Sequence, residues 1–282
     1  MVSSKPDLDL LVTVALAEDL GDRGVDVTTG SVIDSEIMGE AVVVARKPGV
    51  LSGSAAAARV FDMIRPRCDY VALVPDGKRL DAGDEVAKIT GPLSTILIGE
   101  RTALNFLQRM SGVATLTRMY ADALAPFPRV TLLDTRKTTP GLRFLERAAV
   151  RAGGGQNHRD GLWDAILIKD NHVAAAGGVA EAVKRARKAA MPVEVEVETL
   201  DQLDDALESG AEVVLLDNMP ADLMREAVEI TAGRATLEAS GGMTLEGAVA
   251  AARAGVDRIS VGALTHSAPA LDLSLEVTRT WR

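Results

Sequence analysis

The chain has 282 residues, 47% of them hydrophobic and only 3% aromatic, and carries a net charge of −9. That length supports one barrel-sized domain or a barrel with a smaller companion. The acidic balance and the shortage of aromatic platforms exclude a general nucleic-acid or anionic-membrane binder. One cysteine, Cys68, excludes an intrachain disulfide and a cysteine-rich zinc site, and is expected to be an inert thiol. The opening MVSSKPDLDL lacks the layout of a signal peptide, and no run approaches the roughly 18 apolar residues of a membrane span, so a cytoplasmic protein is expected.

In chain order, Leu8 to Leu20 has helical spacing (Leu8, Leu11, Val12, Ala15, Leu16) and stops at Gly21. GDRGVDVTTG follows as a polar loop, then a strand over Gly39 to Arg46 and a short helix over Ala55 to Ile64. Tyr70 to Val74 reads as a strand closed by the turn Pro75-Asp76-Gly77, and Asp84 to Thr90 and Ser94 to Ile98 as two more, parted by Gly91-Pro92. The texture changes at Gly99. A long helix is predicted from Glu100 to about Leu124, and beyond it strands at 130–134, 165–169, 193–198, 212–217, 235–239 and 257–261 alternate with helices at about 141–152, 173–190, 200–209, 220–231 and 244–254. Such alternation implies right-handed βαβ units and a parallel sheet, either doubly wound or an incomplete barrel.

Residues at the strand ends favour the barrel. They are Asp134 with Arg136 and Lys137; Lys169; Glu196 and Glu198; Asp217; Ser240 with Gly241 and Gly242; and Gly262. A barrel builds its site from several strand ends on one face, whereas an open sheet concentrates polar groups at a single switch point. Residues 134 to 172 carry a local charge balance of +2 within the acidic chain, which reads as a pocket for a small anion. In VEVEVE, Val193, Val195 and Val197 share one face and Glu194, Glu196 and Glu198 the other. An edge strand with its acids in water is one reading. The other is an interior strand whose carboxylates face Lys137, Lys169 or a Mg²⁺ ion, with Asp217 completing a sparse oxygen site.

Ser240-Gly241-Gly242 leads into a helix, and Ser260-Val261-Gly262 follows the last strand; glycine turns there suit a phosphate, because backbone N–H groups approach it closely. The triple glycine 153–155 precedes Gln156-Asn157-His158-Arg159 and brings His158 and Arg159 close to a ligand. Without paired spacing, His158, His172 and His266 are read as hydrogen-bonding groups rather than metal ligands.

Taken together, DTRKTTPGLR, GGGQNHRDGLWDAILIKDNH, EVEVETL, VVLLDN, EASGGM and SVGALTHSAPALDLSL resemble the quinolinate phosphoribosyltransferase family of type II phosphoribosyltransferases, over nearly the whole chain. The resemblance implies an N-terminal α+β sandwich domain (1–107, joined by 270–282) and an open α/β barrel (108–269). It implies a homodimer, or a higher oligomer, with a site shared across the interface, and no nucleic-acid or membrane partner. Mg²⁺ is the implied cofactor and phosphoribosyl pyrophosphate the co-substrate. By the same resemblance quinolinate meets Arg136, Lys137, His158, Arg159 and Lys169, with Arg101 supplied by the other subunit. Glu196 and Asp217 match the Mg²⁺–pyrophosphate site; Ser240, Gly241, Gly242, Ser260 and Gly262 match the phosphate loops. Lys137, Lys169, Glu196 and Asp217 are the implied catalytic set. The implied reaction converts quinolinate and phosphoribosyl pyrophosphate into nicotinate mononucleotide, CO₂ and pyrophosphate. A related enzyme acting on nicotinate or another base, including the homologue associated with molybdate transporters, is the alternative; a non-catalytic phosphate sensor is a more distant one.

Overall fold

The computed structural model describes residues 8–189 and 191–282, which divide into two compact units. The first comprises residues up to 118, 139–154 and 268–282, and the second 119–138 and 155–267.

In the first unit, α1 (Leu8–Leu20) turns its buried Val12 and Leu16 inward and ends, as its spacing predicts, at Gly21 with φ +62°. The segment 21–30 departs from the expected loop, because Asp26 accepts the N–H groups of Thr28 at 2.9 Å and Thr29 at 3.0 Å and so starts a short helix, α2 (Val27–Val32). Strands β1 (Met38–Ala45) and β2 (Gly49–Val50), helix α3 (Ser54–Met63), and strands β3 (Asp69–Ala72), β4 (Arg79–Leu80) and β5 (Glu85–Pro92) follow. Arg59 of α3 grips Asp9 of α1 through two bonds of 2.6 Å, a planar fork on a carboxylate. Cys68 is buried, and burial, with the charge of Asp69 adding to it, pushes its thiol up to about 11, so it is inert at neutral pH.

The expected strand at Ser94 to Ile98 is instead the first turn and a half of a 32-residue helix, α4 (Leu93–Leu124). Its β-branched residues mimic a strand over five positions. Buried Leu93, Ile96, Ala103, Leu107 and Met110, with Gly99 between them against the Phe61 ring, show the longer helical period that wins. A Cβ on Gly99 would lie 2.6 Å from that ring.

The second unit carries a six-stranded parallel sheet. Its strands are β6 (Thr131–Leu133), β7 (Ile166–Ile168), β8 (Val193–Val197), β9 (Val213–Asp217), β10 (Thr236–Ser240) and β11 (Arg258–Ser260). Between β6 and β7 the chain forms α5 (Arg143–Gly153), which belongs to the first unit. The expected helix 173–190 is two, α6 (Asp170–Ala176) and α7 (Val179–Ala186), because Gly177 and Gly178 take φ of +91° and +134°, values that end a helix. Then come α8 (Leu200–Glu208), α9 (Ala221–Thr231), α10 (Leu245–Ala254) and α11 (Ala263–His266). The last strand, β12 (Leu273–Trp281), belongs to the first unit and pairs antiparallel with β1, giving the order β12-β1-β5-β3.

The parallel sheet runs β6-β11-β10-β9-β8-β7. The first two strands in sequence therefore lie at opposite ends of it, and on β6 a single bridge from Leu133 to Gln156 occupies the free edge. Side chains from the ends of all six strands nevertheless meet around one cavity, which a flat sheet cannot achieve. The architecture is an open α/β barrel with an N-terminal α+β sandwich domain. Strand β8 lies between β7 and β9, which removes the edge-strand reading. Its valines are at most 2% exposed on one face, while Glu194 and Glu196 turn to the other; Glu198 lies beyond the strand and is exposed.

Candidate active site

The cavity, of about 300 Å³, is lined by Arg136 and Lys137 after β6, His158 and Arg159 from the loop before β7, Lys169 after β7, Glu196 of β8, Asp217 of β9, Ser240 of β10 and Ser260 of β11. Nine residues singled out from sequence thus converge on one opening. Gly241 and Gly242 line a neighbouring cavity of about 390 Å³ with Ser240 and Asn218. Arg101 is an exposed residue of α4 in the first unit.

Asp134 is the anchor of the basic side. It is fully buried, accepts the His158 N–H at 2.7 Å and takes a bond of 2.6 Å from the Asn157 amide. The loop after the triple glycine is thereby pinned to the end of β6, which sets His158 and Arg159 beside Arg136. Burial, joined by the nearby charge of Arg136, presses Arg159 below the usual guanidinium value. Arg159 stays charged, because guanidinium titrates far above neutrality, and its closeness to Arg136 sets two guanidinium groups side by side on this wall, with Glu194 and Asp164 also near Arg159.

Lys169 forms an ion pair with Glu196 across the strand ends. Its own N–H donates to His172 Nδ1 at 2.9 Å, so His172 caps α6 and shapes the turn that carries Lys169. Lys137 sits against Gly262, where a Cβ would come within 3.1 Å of the lysine Cδ. Its carbonyl accepts the Thr265 hydroxyl at 2.7 Å, so the turn after β11 and the loop after β6 are one assembly. His266 is part of that turn, its Nδ1 2.6 Å from the Ser267 hydroxyl.

Gly241 has φ +93°, and a Cβ there would lie 2.2 Å from the Asn218 Oδ1. No other residue fits. Asn218 itself takes φ +55°, which asparagine tolerates better than most side chains, and its amide donates to Asp217 Oδ2 at 2.6 Å. The turns after β9 and β10 are therefore built around each other, with backbone exposed toward the cavity that Gly241 lines.

Glu238 is not singled out by the sequence reading, and Glu194 only as one of three carboxylates on the inward face of its strand. Glu238 of β10 is 0% exposed and Glu194 of β8 8% exposed, and both face the ring of His158, Glu194 Oε2 at 3.0 Å and Glu238 Oε1 at 3.5 Å from Nε2. The signal was present in Thr236 to Ser240, where a period of two puts Glu238 on the face of Ser240. Together with His158 these acids form a cluster whose geometry also suits a metal ion.

The matches to known proteins bear on the whole chain. Residues 26–111 match the N-terminal domain, and residues 113–276 the C-terminal domain, of quinolinate phosphoribosyl transferase. The chain belongs to the quinolinate phosphoribosyltransferase family. A Bacillus subtilis (strain 168) protein named probable nicotinate-nucleotide pyrophosphorylase (carboxylating) is 45% identical over 260 residues, 90% of each chain. The chloroplastic nicotinate-nucleotide pyrophosphorylase (carboxylating) of Oryza sativa is 41% identical over 96% of this chain and 78% of its own. The solved structure of the Francisella tularensis nicotinate-nucleotide pyrophosphorylase superposes with a TM-score of 0.92 at 40% identity, covering 99% of this chain and 98% of that one. Membership of this family and the cation-lined barrel mouth are independent observations that agree.

Proposed function

We propose that the chain is a decarboxylating quinolinate phosphoribosyltransferase, a pentosyltransferase of NAD biosynthesis acting in the cytoplasm. The observation that carries this reading is the cluster Arg136, Lys137, His158, Arg159 and Lys169 around one cavity in a member of this family. A pyridine with two adjacent carboxylates suits the two guanidinium groups of Arg136 and Arg159 beside Lys137 better than a ring with one carboxylate does. Guanidinium groups suit the task because each donates two parallel bonds to a carboxylate.

Glu196 and Asp217 fit a Mg²⁺ ion: they offer carboxylate oxygens from neighbouring strands on one cavity, the hard donors this ion prefers beside substrate phosphates. Held there, Mg²⁺ would supply charge neutralisation to a pyrophosphate group. Lys137, against the Gly262 turn, adds its ammonium to the same leaving group, while the backbone N–H groups of the turns at Gly241, Gly242 and Gly262 hold the ribose phosphate with Ser240 and Ser260. Arg136, Arg159 and His158 fix quinolinate so that its ring nitrogen faces the ribose C1. The C1–N bond forms as the C1–O bond to pyrophosphate breaks, and no protein nucleophile is needed. The ring nitrogen, now positive, accepts the electron pair left at C2 when that carboxylate leaves as CO₂, and C2 then takes up a proton. Lys169 lies beside the departing carboxylate. Positioning and fixed charge supply the catalysis.

We assign Arg101 of the partner subunit to the quinolinate site of a homodimer. Arg101→Ala and Lys137→Ala proteins, each inactive alone, are expected to regain about a quarter of wild-type activity after subunit exchange, by the statistics of mixed dimers that carry one intact site in two. No recovery after verified exchange contradicts the shared site. The substrate itself is tested by kcat/KM: quinolinate is expected to exceed nicotinate by roughly 10²-fold or more, because unmatched buried charge is costly. Equal values would move the chain to the reading of a related enzyme acting on another base.

A further inference from the structure

Asn218 joins two parts of the barrel rim that the functional reading treats separately. Among the described residues it is one of two other than glycine with a positive φ, at +55°. Left-handed backbone is strained for a side chain and persists only where the surroundings demand it. Here they are the turn after β10. The Asn218 N–H donates to the Ser240 carbonyl at 3.0 Å, and its Oδ1 lies so close to Gly241 that a Cβ there would come within 2.2 Å. With Oδ1 against the turn, the amide nitrogen faces the other way, where it donates to Asp217 Oδ2 at 2.6 Å. Chemistry agrees with packing, because only the nitrogen of an amide can face a carboxylate. Asp217 and Ser240 stand opposite each other in the register of β9 and β10. One residue therefore reaches from the carboxylate assigned to Mg²⁺ to the turn assigned to the ribose phosphate.

We propose that Asn218 is a positioning residue for the divalent cation: its amide holds Asp217 Oδ2 so that Oδ1 is presented to Mg²⁺, while its backbone and Oδ1 hold the Ser240–Gly242 turn in the matching place. The inference rests on the functional reading above and gives a role to a residue that has none in it.

A carboxylate at a strand end turns about its last bonds, and an ion held by one or two such groups binds more weakly when they must first be ordered. A hydrogen bond from behind the ligand removes that freedom, and its loss typically weakens metal binding about 10- to 100-fold. An amide suits this task. It donates without carrying charge, so it orients the carboxylate and leaves the attraction for a cation intact. The neighbouring strand shows the contrast, since Glu196 is ion-paired with Lys169. Mg²⁺ thus meets a competitor at one carboxylate and a support at the other. Gly241 is part of the same device, because any side chain there would displace the Asn218 amide.

The test separates the amide from the backbone. Asn218→Gly keeps a left-handed turn without strain and removes the amide, whereas Asn218→Ala removes the amide and adds strain. Mn²⁺ serves as the probe ion, its binding followed by electron paramagnetic resonance in the full-length protein with excess phosphoribosyl pyrophosphate and no quinolinate, so that no turnover is involved. Both variants are expected to bind Mn²⁺ at least about tenfold more weakly than wild type. The KM for phosphoribosyl pyrophosphate should rise with it, while that for quinolinate stays near wild type. Wild-type Mn²⁺ affinity in Asn218→Gly overturns the proposal; with a loss in Asn218→Ala alone, it leaves Asn218 a backbone role only. A measurement on the wild-type protein stands beside these: the side-chain amide resonance of Asn218 is expected to shift when Mg²⁺ is added at constant phosphoribosyl pyrophosphate, and an unmoved resonance overturns the proposal even if neither variant folds. A wild-type protein that binds no Mn²⁺ overturns the metal assignment and this proposal with it. If Mn²⁺ binding follows the prediction but quinolinate is not turned over, the substrate reading falls and the role of Asn218 stands.

Discussion

Arg159→Ala is expected to lower kcat/KM for quinolinate by roughly 10²-fold or more, the loss typical of a preorganised charge partner. Three features of the structure make this residue the sharpest probe. Its backbone is pinned through the Asp134 clamp on the adjacent His158, so its guanidinium starts from a fixed base. Its Nη1 donates to the Ala165 carbonyl at 3.1 Å, which restrains the side chain and limits the rotamer entropy lost on binding. It is partly buried and lies near Arg136, so a dianion there meets two guanidinium groups at once. The KM for quinolinate should rise while that for phosphoribosyl pyrophosphate changes little, because Glu196, Asp217 and the glycine turns are untouched. Arg159→Lys should rescue only part of the loss, since an ammonium cannot make the two-bond contact. Steady-state kinetics in each substrate checks this; a quinolinate KM near wild type removes Arg159 from the site.

The largest loss of stability is expected at Glu146. This carboxylate on α5 is 0% exposed and satisfied on all sides: it takes the Arg109 Nη2 at 2.8 Å, the Thr139 N–H at 3.0 Å and the Thr139 hydroxyl at 2.7 Å. Arg109 also donates to the Ala268 carbonyl at 2.8 Å, so the pair ties α4, the start of the 139–154 segment and the chain leading into β12 within one unit. Removing the acid takes the acceptor from three donors, the Arg109 Nη2 and the Thr139 N–H and hydroxyl. Glu146→Ala should therefore cost about 3–5 kcal/mol, as for other broken buried pairs, and lower the melting temperature by roughly 10 °C. Glu146→Gln keeps one acceptor and should cost less. Calorimetry of both variants checks the order; equal and small losses would show that the pair adds nothing to stability.

Much of this is legible in the sequence. Leu8 to Leu20 forms the helix its spacing predicts because its cap glycine and its apolar stripe agree. The strands of the barrel fell within a residue or so of their expected limits, since alternation of short β-branched runs with amphipathic helices leaves few other arrangements. The convergence of Arg136, Lys137, Lys169, Glu196 and Asp217 followed from reading strand ends as one face. What failed did so where local pattern and tertiary burial disagree. Ser94 to Ile98 looks extended over five residues and is helical because the burial period runs on from Leu93 to Met110. Residues 173–190 looked like one helix until Gly177 and Gly178 broke it. Glu238 is hidden from a reading of strand ends alone, because it lies two residues before the end of β10. A strand that faces a barrel interior presents every second side chain to it, and an acid two positions from the end is as much a part of the floor as the serine at the rim.

The most direct test is turnover in the presence of Mg²⁺ and phosphoribosyl pyrophosphate, with quinolinate labelled in its 2-carboxylate, following nicotinate mononucleotide and labelled CO₂ together. One CO₂ for each nucleotide formed, with little nucleotide from nicotinate, is the predicted result. Nucleotide from nicotinate with none from quinolinate, or no nucleotide from either, would contradict it.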